Sequence, residues 1–271
     1  MNFEYYLKRW QLEKDGQPIF TQSSLLLPVR FKNVRYKNKA AMLKIAISEE
    51  ERRGSLLMVW WNGQGAAPVF HHEGNALLMQ RAEGSASLSE MAESGQDEEA
   101  SRLICSVIKK LHANKGESPG ALPLSLWFKS LELASSRFGG LFTKAFITAR
   151  KLLTFPEDIV VLHGDIHHEN ILDFGNLGWL AIDPKHLIGE RGFDYANVFC
   201  NPSKTIATCP ERFSRQVQIV AEAAQLNKIR LLKWISAYSA LSAAWFIEDG
   251  ESAELPLIIT NMAEELILVS G

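Results

Sequence analysis

Residues 161–170 read VLHGDIHHEN and end on Asn170, so three histidines and two acids surround one glycine. Two chemistries compete for this stretch. In the first, His163 and His167, four apart, present both imidazoles to a metal from one helical face, with His71 and His72 as further ligands. Gly164 inside the pair and the strand-like DIVVL before it argue against a helix. The glutamate that a zinc-protease site places beside its first histidine is missing, as are the upstream Asp-x-His and downstream Gly-Asn-His of a binuclear phosphoesterase. In the second, phosphoryl transfer, the protein supplies a carboxylate that orients a hydroxyl and takes its proton, plus hard oxygen ligands for Mg²⁺ on the phosphates. His163-Gly164-Asp165 followed five positions later by Asn170 supplies both: Asp165 as base, the Asn170 amide oxygen as metal ligand. A second carboxylate must return to the same metal. Asp173, in a literal DFG, lies three residues past Asn170, with no room for a strand, a turn and a returning strand. Asp183, closing WLAID, is therefore the expected metal ligand, and Asp173 a hairpin residue.

The elements around the stretch follow from periodicity. IFTQSSLLLPVRF (19–31) reads as a strand that Pro28 places near an edge or bulge. Residues 33–47 offer two short strands around Lys37-Asn38-Lys39, the second carrying Lys44 within an apolar run. Ser48 followed by Glu51 is a capping box opening a helix, with Leu56, Leu57 and Trp60 on one face and Asn62-Gly63 as the stop. Residues 66–84 give two strands around Glu73-Gly74-Asn75. Beyond Gly84 helices dominate: 97–114, 126–154, 227–250 and 255–269, interrupted by a short buried strand at 158–162 and a hairpin at 171–183. A small β-rich lobe followed by a larger helical one is the expectation.

Composition removes several classes. A formal net charge of −2 over 271 residues provides no basic excess for a nucleic-acid partner. The apolar stretch 237–247 is half of the roughly 20 residues a membrane span needs. Three scattered cysteines point to reduced thiols in the cytoplasm rather than a disulfide framework.

LHGDIHHENIL…GWLAIDPKHLIGERGFDYANVFCNP closely resembles the aminoglycoside/hydroxyurea antibiotic resistance kinase family, which includes streptomycin 6-phosphotransferases and belongs to the aminoglycoside-phosphotransferase branch of the protein-kinase-like fold. The likeness is most specific over 160–202 and extends more weakly through 52–70, 77–84 and 239–250. It implies an α+β, two-lobed chain, with a nucleotide-binding lobe at 1–83 and a helical lobe at 84–271 that holds the catalytic loop and acceptor site. It further implies ATP and Mg²⁺ as cofactors and a small-molecule hydroxyl acceptor such as streptomycin, in a monomer or weak dimer. Lys44 would pair with the α- and β-phosphates, and its acidic partner would be Glu51, or alternatively Glu50; Glu51 could equally serve only the helix cap. LMQRAEG resembles the adenine-binding hinge, around Arg81, Ala82 and Glu83. No glycine-rich loop is present, and Ser23 and Ser24 stand where it would be. His168, Glu190 and Glu248 are the acceptor candidates, the acids because they would attract a cationic aminoglycoside. Asp194 and Asn197 are expected to brace the catalytic loop, and Trp245 to belong to the core. The rival readings are a kinase of another polyol or amino alcohol, and a nucleotide-binding pseudokinase, which the intact Asp165, Asn170 and Asp183 disfavour.

Overall fold

Alternating apolar residues in the first eighty positions build an antiparallel sheet with two different faces. The computed structural model describes residues 3–32, 39–116 and 119–270. Helix α1 (Phe3–Arg9) leads into β1 (Leu12–Lys14), β2 (Ile19–Phe20), β3 (Ser24–Phe31) and β4 (Ala40–Ala46), followed by helix α2 (Glu49–Trp61) and the hairpin β5 (Val69–Glu73) and β6 (Ala76–Gln80). The strand order is β1-β3-β4-β6-β5, with β2 also on β3. Because partners in register share a face, Leu27, Val29, Phe31, Leu43, Ile45 and Leu78 face outward and are covered by Leu7 and Trp10. The opposite face carries Leu26 and Pro28 on β3, Met42 and Lys44 on β4, and Leu77 and Met79 on β6.

Three local expectations are corrected. Strand β3 is interior, not an edge; Asp15 N–H bonds the Pro28 carbonyl at 2.9 Å, so the missing proline donor faces the interruption between β1 and β2. Helix α2 buries Glu51, Gly54, Ser55, Leu57, Met58 and Trp61, a face rotated from Leu56 and Trp60 that includes Glu51, paired with Lys44 of β4. The strand at 158–162 buries only Leu162, its other residues lying toward the rim of a small sheet. Part of the Lys37-Asn38-Lys39 turn lies outside the described residues.

The chain then becomes helical. Helices α3 (Leu88–Glu93) and α4 (Asp97–His112) precede β7 (Leu122–Pro123), α5 (Lys129–Phe138) and α6 (Gly140–Thr154). The long helix expected over 126–154 is divided at Gly139, whose φ of +64° no helix accommodates. Strand β8 (Ile159–Leu162) enters the catalytic loop, β9 (Ile171–Asp173) and β10 (Trp179–Ala181) form the expected hairpin, and β11 (Leu187–Glu190) returns beside β8 and β7. Helices α7 (Lys204–Ala207), α8 (Pro210–Ala224), α9 (Lys228–Glu248) and α10 (Glu254–Ser270) close the chain. The apolar core continues from α2 and the inner sheet face, through Leu57, Met58, Trp61, Leu77 and Met79, into α4 and the central part of α9, which is buried from Leu231 to Ala244 apart from the half-buried Lys233 and Ser242. No helix among the described residues is long and apolar enough to cross a membrane.

Candidate active site

The catalytic loop is held from below by one buried carboxylate. Asp194 accepts from His163 N–H at 2.9 Å and from Gly164 N–H at 2.8 Å, and His112 Nε2 lies 2.8 Å from the same group. His163 Nδ1 accepts from the Asp165 N–H at 3.3 Å, so its proton sits on Nε2, which donates to the Ile182 carbonyl at 2.8 Å. Burial pushes the pKa of this imidazole down, and its ring lies nearly parallel to Trp61 of α2, centroids 6.1 Å apart. His163 is thus a neutral strut between loop and hairpin, not a metal ligand. Gly164 has φ +87°, and a Cβ there would lie 3.0 Å from both Lys185 Cβ and Leu187 Cδ1, which accounts for glycine at this point.

Asp165 has both carboxylate oxygens positioned by amides. Asn197 Nδ2 donates to Oδ1 at 2.9 Å and Asn170 Nδ2 to Oδ2 at 3.2 Å. Asn170 Nδ2 also reaches the Asp165 carbonyl at 2.9 Å, which fixes its amide and leaves Oδ1 without a partner among the described residues. Ile182 N–H bonds the Asn170 carbonyl at 2.9 Å and Lys185 N–H the His163 carbonyl at 2.7 Å, stitching the 182–185 turn to the loop. Asp183, with φ +67°, is thereby brought to the loop mouth.

There Lys44 Nζ lies between Glu51 and Asp183, in ion pairs with both. Lys44 and Glu51 are 6% and 5% exposed, so neither carries an unpaired buried charge. Glu51 performs two tasks: its N–H is capped by Ser48 Oγ at 3.2 Å, and its carboxylate goes to Lys44. Burial alone would raise the Asp183 carboxyl, but the charge and hydrogen bond of Lys44, with the charge of Lys185, outweigh it and hold the pKa below the usual carboxylate range. Lys44 occupies only Oδ1 of Asp183. Asp183 Oδ2 and Asn170 Oδ1 are therefore the free hard oxygens at this mouth, a donor set that suits Mg²⁺ shared with phosphates. Among the described residues no cluster of three metal-binding side chains exists, so an all-histidine centre has no basis here.

The nucleotide end is apolar above and polar at its hinge. Leu26, Pro28, Met42, Leu77 and Met79 line the sheet face that carries Lys44. Beyond β6, Arg81 is paired with Asp15 and Glu83 with Arg30 at 3.0 Å, both side chains turned to the sheet. Ala82 packs against the core, and no hydrogen bond engages the peptide groups of Ala82 or Glu83 among the described residues. Asp173 anchors the segment that follows, accepting Gly84 N–H at its carbonyl (3.0 Å) and Ala86 N–H at Oδ2 (3.3 Å). Ser24 is buried against Thr21, and the N–H groups of Ser23 and Ser24 both reach Thr21 Oγ1, at 3.3 and 2.9 Å. Ser23 Oγ donates to Glu51 Oε1 at 3.1 Å.

On the other side of Asp165 opens a cleft of about 430 Å³ lined by Glu50, Trp127, Gly164, Lys185, Tyr238, Trp245 and Asp249. Trp245 packs against the core, as expected, and also forms a wall of this cleft, edge-on to Trp127 at 5.1 Å. The three acceptor candidates are not gathered there. His168 is 2% exposed, with both ring nitrogens unpartnered and the Arg212–Asp97 ion pair nearby. Glu190 is buried and saturated by Arg230, by Trp234 Nε1 at 2.7 Å and by Glu157 N–H at 3.0 Å. Glu248 receives Ser130 Oγ at 3.2 Å, and its neighbour Asp249 is the acid that reaches the cleft. Lys185, Asn197 as a direct partner of Asp165, and the aromatic walls were not legible in the sequence. Only the adjacency of Lys185 to Asp183 could have drawn attention to it.

A streptomycin 3''-kinase of Klebsiella pneumoniae is 44% identical over 271 residues, covering 96% of this chain and all of that one. A streptomycin 6-kinase of Streptomyces griseus is 29% identical, over 92% of this chain and 83% of that one. Among solved structures, the aminoglycoside phosphotransferase APH(4)-Ia superposes with a TM-score of 0.68 over 99% of this chain and 98% of that one, at 11% identity. A choline kinase of Cryptosporidium parvum gives 0.61 over 100% and 92%, at 14% identity. Both confirm the two-lobed kinase-like fold. With a family model matching residues 9–250, the chain belongs to the aminoglycoside/hydroxyurea antibiotic resistance kinases.

Proposed function

We propose that this small-molecule kinase transfers the γ-phosphoryl group of ATP to a hydroxyl of streptomycin, and to the 3''-hydroxyl in preference to the 6-hydroxyl. The observation that carries the acceptor and its position is the 44% identity along the whole streptomycin 3''-kinase, against 29% to a streptomycin 6-kinase. The cleft supports it: two tryptophans and a tyrosine supply faces for a cationic sugar, while Glu50 and Asp249 supply opposite charge.

The adenine would lie under the inner sheet face and bond the peptide groups of Ala82 and Glu83. Lys44 would leave its two carboxylates partly for the α- and β-phosphates, with Glu51 keeping it oriented. Mg²⁺, held by Asn170 Oδ1 and Asp183 Oδ2, would neutralise charge on the β- and γ-phosphates. Asp165, oriented by Asn170 and Asn197, aligns the acceptor hydroxyl and takes its proton as the oxygen attacks. We assign residues 1–83 to the nucleotide lobe and 84–271 to the lobe with the acceptor cleft. The enzyme works in the cytoplasm, where ATP is abundant and its three free cysteines stay reduced. It needs no more than a monomer, since one chain assembles the site.

The test is a screen of ATP consumption against streptomycin, other aminoglycosides and small polyols, with NMR location of the phosphate on the product. Streptomycin phosphorylated at the 3''-oxygen is expected. Turnover of a polyol or amino alcohol alone would refute the acceptor, and phosphate at the 6-oxygen the position.

A further inference from the structure

Among the described residues, Lys185 is the cation that joins the catalytic loop to the phosphate end of the site. Its backbone N–H is fixed to the His163 carbonyl at 2.7 Å, and the absent Cβ of Gly164 leaves the space through which its side chain passes. Its Nζ ends 3.3 Å from Glu50 Oε1 and 3.7 Å from Glu51 Oε1, and it lines the same cleft as Asp165. The side chain is 18% exposed, on the side where it lines the cleft. Two further observations give it a task. Asp165, Glu50, Glu51 and Asp183 place four carboxylates around the path of a phosphate, and Lys44 is already shared by two of them. Thr21 Oγ1 also takes the N–H groups of Ser23 and Ser24, which withdraws two backbone donors of the turn before β3 from a phosphate.

We propose that Lys185 is a catalytic residue that binds the γ-phosphoryl group as it moves from ATP to the acceptor, in place of a glycine-rich clamp. The inference rests on the kinase reading above. In the step, the acceptor oxygen–phosphorus bond forms and the phosphorus–oxygen bond to ADP breaks. The electron pair leaves on the ADP β-phosphate, and the hydroxyl proton goes to Asp165. Lys185 forms no bond; it swings from Glu50 and Glu51 onto the equatorial oxygens, where negative charge is concentrated in transfer.

The experiment compares wild type with Lys185→Ala, Lys185→Gln and Lys185→Arg, using the acceptor found in the screen. It measures kcat, ADP affinity by displacement of a fluorescent nucleotide, and melting temperature. Expected for Ala and Gln is a fall in kcat of about 100-fold or more, with ADP affinity within about twofold and melting unchanged; Lys185→Arg recovers about tenfold of it. Normal kcat in Lys185→Ala would overturn the proposal. So would a parallel loss of ADP affinity and kcat, which would mean that Lys185 merely props up Glu51; if Ala misfolds, Gln and Arg carry the same comparison. Absence of turnover in the wild type itself would instead overturn the kinase reading, and this inference with it.

Discussion

Replacing Gly54 with alanine tests whether α2 is positioned by its contact with the 183–185 turn. In an exposed helix interior this change stabilises by about 1 kcal/mol, since alanine is the better helix former. Here the new Cβ would sit 2.2 Å from the Pro184 carbonyl oxygen, a backbone atom that cannot rotate away. Restoring an ordinary contact requires α2 and the 183–185 turn to separate by about 1 Å, and overpacking of this kind costs about 1–3 kcal/mol. Set against the propensity gain, the net is a destabilisation of about 1 kcal/mol. The displacement falls on the two elements that carry Glu51 and Asp183, both paired with Lys44. A misplacement of about 1 Å costs on the order of 100-fold in rate, so activity should suffer far more than stability. Thermal melting and phosphotransfer kinetics on Gly54→Ala measure both. A variant about 1 kcal/mol more stable than wild type, with unchanged kcat, would refute the claim that this contact sets the geometry of the site.

Asp183→Ala should abolish transfer, whereas Asp173→Ala should chiefly cost about 1–3 kcal/mol by freeing the N–H groups of Ala86 and Gly175; denaturant melts beside activity assays distinguish the two, and a reversal would make the literal DFG aspartate the metal ligand. Asn197→Asp puts a second carboxylate where an amide now touches Asp165 Oδ1 at 2.9 Å, so one of the two carboxyls must hold a proton more tightly. The acidic limb of the kcat pH profile should move upward, and an unmoved limb would separate Asn197 from the base. His168 is buried neutral, its pKa lowered to about 3 by burial, then by Arg212 and His167. Its charged form is disfavoured in the fold, so stability is lost as pH falls from the unfolded value of about 6.5, reaching about 2 kcal/mol at pH 5. His168→Asn should flatten urea-derived stability between pH 6.5 and 5, and a profile as steep as wild type would assign the acid loss elsewhere.

The sequence by itself determined the chemical core, because the groups of the catalytic loop are local. The five-residue spacing of Asp165 and Asn170 becomes a hydrogen bond within one turn of chain, and the hairpin that returns Asp183 follows from apolar runs around Gly175 and Gly178. The capping box, the two-faced sheet and the long buried α9 are likewise periodic signals. Glu51 could be read for its cap from local residues, but its ion pair with Lys44 was implied only by the family resemblance, since Lys44 reaches it only once β4 and α2 pack. Tertiary structure alone decided the acceptor side. Acidic side chains near the motif looked available, yet Glu190 is consumed by Arg230 and Trp234, contacts that span about forty positions and leave no local trace. His168 turned inward for the same reason. Trp127, Tyr238 and Trp245 became cleft walls because the turn before α5 and helix α9 bring distant residues around Asp165, and a side chain's access to a cavity depends on every element that encloses it. Periodicity reports which face of an element is apolar; only packing settles what that face encloses.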